Sequence, residues 1–414
     1  MKEPKIRFPE FTGEWEEKKL GDVGTFVRGL SYTKTEVTQD KSGTLVIRSN
    51  NIIQDGIVDC KNGLQYVTKM PSEEQKLQEG DVVICLANGS SNLVGKSAHF
   101  AGDYNGIVTV GAFCGIYRST MPICKYLVQT SAYKEKIDLI KQGGNGALAN
   151  LYGRDILDLK FYFPPTIEEQ QKIAECLMAI DDQISVQSQK VEALKNQKKG
   201  MMQELFPQKG ETTPRLRFPG FTEDWEEKKL GDIAPVIFDG THQTPHYVNS
   251  GIPFYSIENI VSNKPCKFIT ESEHRINTSK NKTERGDILI SRIGTIGFAK
   301  IVDWDGEFST YVSLATIKKS AFIHTEYLYA YLQSDYYQKE IRSKSLMNAV
   351  PCKINMEDLK KTIVLLPSSP AEQQKIADCL SELDALIAAE TEQLENLKDH
   401  KKGLMQQLFP QPAK

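Results

Sequence analysis

The sequence predicts an α+β protein: two pseudo-repeated mixed α/β domains separated by two long helices that form an antiparallel coiled coil. Three observations carry that expectation. A frame segment is written twice, the stretches between the copies share a skeleton of short strands, and each copy ends in a sustained heptad pattern.

The repeat comes first. Residues 4–23, PKIRFPEFTGEWEEKKLGDV, return at 214–233 as PRLRFPGFTEDWEEKKLGDI, and residues 169–208 return at 372–411. A period of about 200 residues is too long for a solenoid, so each copy should hold a domain of its own. Between the frames the sequences diverge over a shared order of elements. TLVIRSNNI (44–52) corresponds to GIPFYSIENI (251–260), and EGDVVICLANG (79–89) to RGDILISRIG (285–294), each an apolar strand running into polar turn residues. CKYLVQTSAYKEKI (124–137) and TEYLYAYLQSDYYQKEI (325–341) read as helices. LYGRDILDLKFYFPP (151–165) and CKINMEDLKKTIVLLPSS (352–369) each end in a strand closed by proline.

The tails carry the helices. Ile173, Leu177, Ile180, Ile184, Gln187, Val191, Leu194, Lys198, Met201 and Leu205 are spaced alternately by four and three. So are Ile376, Leu380, Leu383, Ile387, Glu390, Leu394, Leu397, Lys401, Leu404 and Leu408. A 3.5-residue repeat held this long is a coiled-coil seam, beyond what an ordinary amphipathic helix needs. Pro164–Pro165 and Pro367–Pro370 precede the helices, and Pro207 and Pro410 stop them. The expected layout is a frame and domain at 1–165, a helix at 166–206, a second frame and domain at 207–369, and a helix at 370–414. If the helices pair antiparallel, setting Lys198 against Glu390 also sets Gln187 against Lys401, which offers one polar register.

Composition bounds the function classes. The chain is 40% hydrophobic and 25% charged, with a net charge of −3. Segments 24–164 and 235–367 are slightly basic, while 168–204 and 371–411 are acidic. The opening MKEPKIRFPEF carries no apolar run, so no secretory signal is expected, and no run of apolar residues is long enough for a membrane span. Eight scattered cysteines without a CxxC pair fit reduced thiols in a cytoplasmic protein and offer no zinc-ribbon spacing.

The motifs WEEKKLGD (15–22 and 225–232), EQQKIAECL (169–177) and EQQKIADCL (372–380), with a Pro-rich run ahead of each helix, resemble the specificity subunits of type I restriction-modification systems. The resemblance extends over essentially the whole chain. It implies that each variable domain is a target recognition domain reading one half of a bipartite, asymmetric double-stranded DNA site. The paired helices would set the non-specific spacer and dock two modification subunits, which methylate adenine N6 with S-adenosylmethionine. Restriction subunits would add ATP-driven, Mg²⁺-dependent cleavage. No cofactor is expected in this chain.

The residues give catalysis little to stand on. The Asn/Asp-Pro-Pro-aromatic motif of amino-methyltransferases is missing, since Pro164–Pro165 lies in FYFPPT, and no GxxxxGK phosphate loop occurs. Gly144-Asn145-Gly146-Ala147-Leu148-Ala149 has nominal GxGxxA spacing but no preceding buried strand. Asp59 with Glu74 and Lys76 could imitate a nuclease site, although charges on a helix surface are usually solvated. His242 and His246 lack a third metal ligand at suitable spacing. Neither a catalytic site nor a metal site is expected.

For DNA contact, the loop DGTHQTPHY (239–247) resembles one recurrent in the family's recognition domains. Asp239, Thr241, His242, Gln243 and Thr244 offer donors and acceptors to bases or phosphates, or else bonds that hold a surface turn. Ser291, Arg292 and Thr295 follow a strand in the second domain, and Asn88, Ser90, Ser91 and Lys96 follow its counterpart in the first. Arg292 has the chemistry for bidentate guanine binding. Arg48, Ser49, Asn50 and Asn51 are further candidates, with ordinary turn capping as the alternative. Lys141 and Lys344 suit phosphates. Two other classes remain in view: a stand-alone DNA methyltransferase or endonuclease, and a coiled-coil scaffold that binds no DNA.

Overall fold

The computed structural model describes residues 3–53, 56–142, 150–208, 210–262 and 264–410. The chain divides into two compact units. The first is Met1–Ser188 with Glu392–Lys414, and the second is Gln189–Thr391, so each takes part of both long helices.

Each unit begins with the duplicated frame. In the first, Glu16–Lys19 pairs antiparallel with Lys160–Phe163; in the second, Glu226–Lys229 pairs with Ile363–Leu366. The duplicated EQQ triplet has a structural reason. The Glu169 carboxylate, fully buried, accepts a bidentate pair of bonds from Arg7 at 2.7 and 2.8 Å, and Trp15 Nε1 donates to it at 3.3 Å. Glu372 accepts the same fork from Arg217 at 2.8 and 2.9 Å. Gln170 and Gln373 each donate to a proline carbonyl six residues earlier, both at 3.1 Å. These contacts fix where the strand ends and the helix begins. Glu372→Ala should lower the stability of the second unit by about 3 kcal/mol in urea unfolding, because the buried carboxylate is lost and the half-buried Arg217 is left without its partner.

One sheet in each domain matches strand for strand. Among the described residues, the first unit carries the sheet Gly24–Arg28, Cys114–Ser119, Val82–Cys85, Ser97–His99, and the second carries Ile237–Asp239, Leu314–Ile317, Ile288–Ser291, Ala299–Ile301 in the same order. A second sheet, four-stranded in the first unit and three-stranded in the second, contains one parallel pair in each, Thr44–Ile47 with Val108–Val110 and Ile252–Tyr255 with Ser309–Thr310. The repeated Gly-Asp ahead of the central strand is structural as well. Asp81 takes Arg118 at 2.6 Å and the Gln78 amide at 2.8 Å, while Asp287 takes Lys318 at 2.8 Å and the Glu284 amide at 2.7 Å. All eight cysteines are free thiols.

The long helices run Ile167–Leu205 and Pro370–Leu408, 39 residues each, or about 58 Å at ~1.5 Å per residue. The second opens on Pro370 itself, a position where a missing amide proton is harmless. Every seam residue predicted from the heptads is buried or half-buried. Within the first unit Ile180 and Ile184 cluster with Leu394, Leu397 and Leu404. Within the second, Met201 Sδ accepts from Cys379 Sγ at 3.5 Å. Partner numbers fall as residue numbers rise, which is antiparallel pairing inside each unit.

The predicted polar register is corrected. Lys198 Nζ meets both carboxylate oxygens of Asp384, at 2.6 and 2.7 Å, six residues before Glu390. Glu390 pairs with Lys190 at 2.7 Å, and Lys401 with Asp181 at 2.6 Å. The offset is close to one heptad. A lysine stem lies along the seam and carries its ammonium to a carboxylate beside the facing layer, so the cation need not stack on another seam residue.

Near this seam in the first unit, His99 lines a cavity of about 440 Å³ with Lys125, Tyr126, Asp181 and Ser185. Burial, then the Lys125 and Lys401 ammoniums, push the imidazole down to about 4 against the opposing pull of Asp181. The neutral ring faces the Gln129 amide at 3.3 Å. The unfolded ring binds a proton near 6.5 while the folded ring resists until about 4, so stability present above pH 6.5 is lost as pH falls through that window. The loss is about 3 kcal/mol. His99→Gln should flatten the acid limb of the stability profile by that amount, read from unfolding midpoints between pH 7 and pH 4.

Candidate nucleic-acid interface

In the first unit the loops after two strands of different sheets converge. The strand Thr44–Ile47 runs into the turn Ser49–Asn51, and Val82–Cys85 runs toward Asn88. Asn88 Nδ2 donates to Ser49 Oγ at 2.8 Å and ties the two loops together, while its Oδ1 accepts from the Ser90 amide at 2.9 Å. Arg48 and Asn50 both donate to the Gly63 carbonyl, at 3.0 and 3.3 Å. Lys141 reaches the Ser91 carbonyl at 3.4 Å and pairs with Asp138 at 2.6 Å. Six of the predicted residues, Arg48, Ser49, Asn50, Asn88, Ser90 and Ser91, therefore share one polar face, with Lys141 at its edge. Lys96 is half-buried beyond the turn Ser91–Leu93.

Asn51 is corrected. It is fully buried, accepts from the Arg48 amide at 3.1 Å and donates to the Asp59 and Asn62 carbonyls. Its side chain holds the turn and meets no solvent, so turn capping is its role.

In the second unit a polar face is built around one carboxylate, on the loops after Ile237–Asp239 and Ile288–Ser291; it shares with the first face only the loop after the central strand, because Ile237–Asp239 matches Gly24–Arg28 in strand order. Asp239, at the end of Ile237–Asp239, accepts Arg292 Nη1 at 2.7 Å and lies 2.9 Å from His242 Nε2. The chain then passes close to its neighbour: a Cβ on Gly240 would lie 2.1 Å from the Thr310 carbonyl oxygen. That approach lets the Thr241 amide donate to the same carbonyl at 2.9 Å, and the loop opens outward with His242, Gln243 and Thr244 exposed. The Thr241 hydroxyl accepts from the Gln243 amide at 3.3 Å and stiffens the bend.

Arg292 is corrected too. Its side chain is only 8% exposed, and it donates to the Ile354 and Val312 carbonyls besides pairing with Asp239. A guanidinium committed in this way anchors the loop and is not presented to a guanine. Ser291 is fully buried and accepts from the Phe298 amide at 2.9 Å, which removes it from the reading set. Thr295 is exposed, and Lys344 is half-buried and lies 3.4 Å from Glu340.

The alternative chemistries fare as follows. Asp59 caps its own loop by accepting from the Lys61 and Asn62 amides. Lys76 pairs with Glu73. The His246 amide donates to Glu273, and among the described residues no group of three His, Cys, Asp or Glu is placed to hold a metal. Gly144–Ala149 lies outside the described residues. No described helix is long and apolar enough to cross a membrane. One feature of the second face was missed from sequence, the exposed hairpin Leu346–Lys353; the mixture of Leu346, Met347 and Val350 with flanking cations was its only signal.

Two polar loop faces on matched domains, each raised on strand ends, define a class: a two-module recognition protein. A family model described as the type I restriction modification DNA specificity domain matches residues 12–196 and again 222–399. The chain belongs to that family. It is 26% identical over 407 residues to the type I restriction enzyme EcoKI specificity subunit of Escherichia coli K12, covering 90% of this chain and 82% of that one. It is 24% identical to the type I restriction enzyme MjaVIII specificity subunit of Methanocaldococcus jannaschii, covering 98% and 93%. The fold also matches the type I restriction-modification S subunit from M. genitalium, with TM-score 0.61, 16% identity, and 99% and 100% coverage.

Proposed function

We propose that this chain is the DNA-reading, non-catalytic subunit of a type I restriction-modification complex, each domain addressing one half of a bipartite site in double-stranded DNA. The observation that carries the reading is that two matched domains each carry a polar loop face, and the residues on the two faces differ. Two different readers on one chain call for two different half-sites, and the long helices are the parts suited to fixing the gap. Affinity comes from phosphate contacts such as Lys141 and Lys344, and discrimination from exposed residues such as Gln243 and Thr244.

The chemistry belongs to partners. Two modification subunits docking on the helices would transfer a methyl group from S-adenosylmethionine to adenine N6, and restriction subunits would use ATP and Mg²⁺ for cleavage. The assembly works in the cytoplasm, where its DNA is. The test is selection from a random duplex library by the chain co-purified with its modification subunits. Two short fixed blocks separated by an unconstrained gap are expected. A single continuous block, or no enrichment over random duplex, would refute the assignment.

A further inference from the structure

The hairpin missed in the sequence stands beside the second polar face. The Leu346 amide donates to the Lys353 carbonyl at 2.7 Å, and the Lys353 amide returns a bond at 3.4 Å. The hairpin is fastened to the reading loops from its far side. The Gly294 amide donates to the Cys352 carbonyl, and the Ile354 amide to the Arg292 carbonyl, both at 2.9 Å. Arg292 in turn holds Asp239 and the loop that follows.

The tip is apolar and turned outward. Leu346 is 49% exposed, Met347 51% and Val350 fully exposed. Three large apolar side chains exposed on a short hairpin cost free energy in water unless something covers them. Cations frame them, with Arg342 and Lys344 before the tip and Lys353 at its close. An apolar point between positive charges, next to a DNA-reading loop, complements a duplex: phosphates on either side and a stack of bases between.

We infer that the Leu346–Val350 tip is a wedge that presses between, and partly unstacks, a base step of the half-site read by the second domain. The inference rests on the DNA-reading function proposed above and adds how the site is deformed. The cost of opening a step depends on which bases are stacked, so the tip would also add selectivity for an easily unstacked step.

The test uses the chain bound to its modification subunits and a specific duplex. 2-Aminopurine replaces, one at a time, each adenine of the second half-site except the one that becomes methylated. The expected result is a severalfold rise in fluorescence at one step on binding. In Leu346→Ser/Met347→Ser/Val350→Ser that rise disappears, while specific binding weakens by no more than about tenfold. A wild-type complex that binds specifically with no rise at any step would overturn the wedge and leave the reading function intact. So would a triple variant with an unchanged rise, or one that binds DNA normally but loses its modification subunits, which would make the tip a protein contact. Loss of all sequence preference in the wild type would overturn the reading function itself, and the wedge with it.

Discussion

Excising residues 192–198 together with 383–389 should shorten the preferred DNA gap by roughly three base pairs, since a heptad spans about 10.5 Å of helix and a base pair about 3.4 Å. The two segments face each other inside the second unit. Lys190–Glu390 lies just outside them, and Lys198–Asp384 lies within, so both members of that pair leave together and no charge is stranded. The seam keeps its 3.5-residue phase on both helices, and the thermal midpoint should move little. Affinity for the original spacing should fall by about a thousandfold, toward the level of non-specific DNA. Gel-shift titration against duplexes differing only in gap length measures this directly. Removing a heptad from one helix alone is a different experiment: the facing layers no longer match, and loss of folding is expected in place of a new spacing.

Asp239→Ala should abolish recognition of the second half-site while leaving the first intact. The carboxylate holds a nearly buried guanidinium and contacts His242, so removing it strands Arg292 among carbonyls and frees the 239–244 loop. The expected destabilisation is about 3 kcal/mol, at the lower end for a broken buried pair because Asp239 is one-fifth exposed. Gln243→Ala and Thr244→Ala should behave in the opposite way. Both side chains are exposed, so stability should stay within about 0.5 kcal/mol, and any effect should be relaxed preference at one base position, about 1–3 kcal/mol. Unfolding curves and half-site competition assays on the three variants separate anchors from readers. Equal loss at both half-sites in Asp239→Ala would contradict the division of labour between the domains.

The fold was readable because its signals are periodic or duplicated. The frames at 4–23 and 214–233 are identical at most positions, the apolar strands stand between turn residues, and each seam keeps one face inward. Register was not readable, because a heptad pattern shifted by seven residues buries the same apolar face. The cross-helix pairs Lys198–Asp384, Lys190–Glu390 and Lys401–Asp181 decide it. At the site, residue type offers Ser291, Arg292 and Asn51 as DNA contacts, with turn capping as the alternative for Asn51, and burial gives all three to the scaffold. Two signals pointed the other way. Arg292 continues the inward alternation of Ile288 and Ile290, and its counterpart in the first repeat is Leu86, a buried apolar residue. The matching amide bonds, Leu151 to Leu86 and Ile354 to Arg292, confirm that equivalence. A polar residue standing where its repeat carries leucine belongs to the scaffold of the site.

The most direct measurement is a genome-wide map of methylated adenines in cells carrying the wild-type chain, compared with cells in which residues 235–367 are replaced by the corresponding segment of a relative. The wild-type map should return one bipartite motif with a fixed gap. The exchange should replace one half and preserve the other half and the gap. A contiguous wild-type motif, or an exchange that alters both halves, would contradict two independent readers set on one helical spacer.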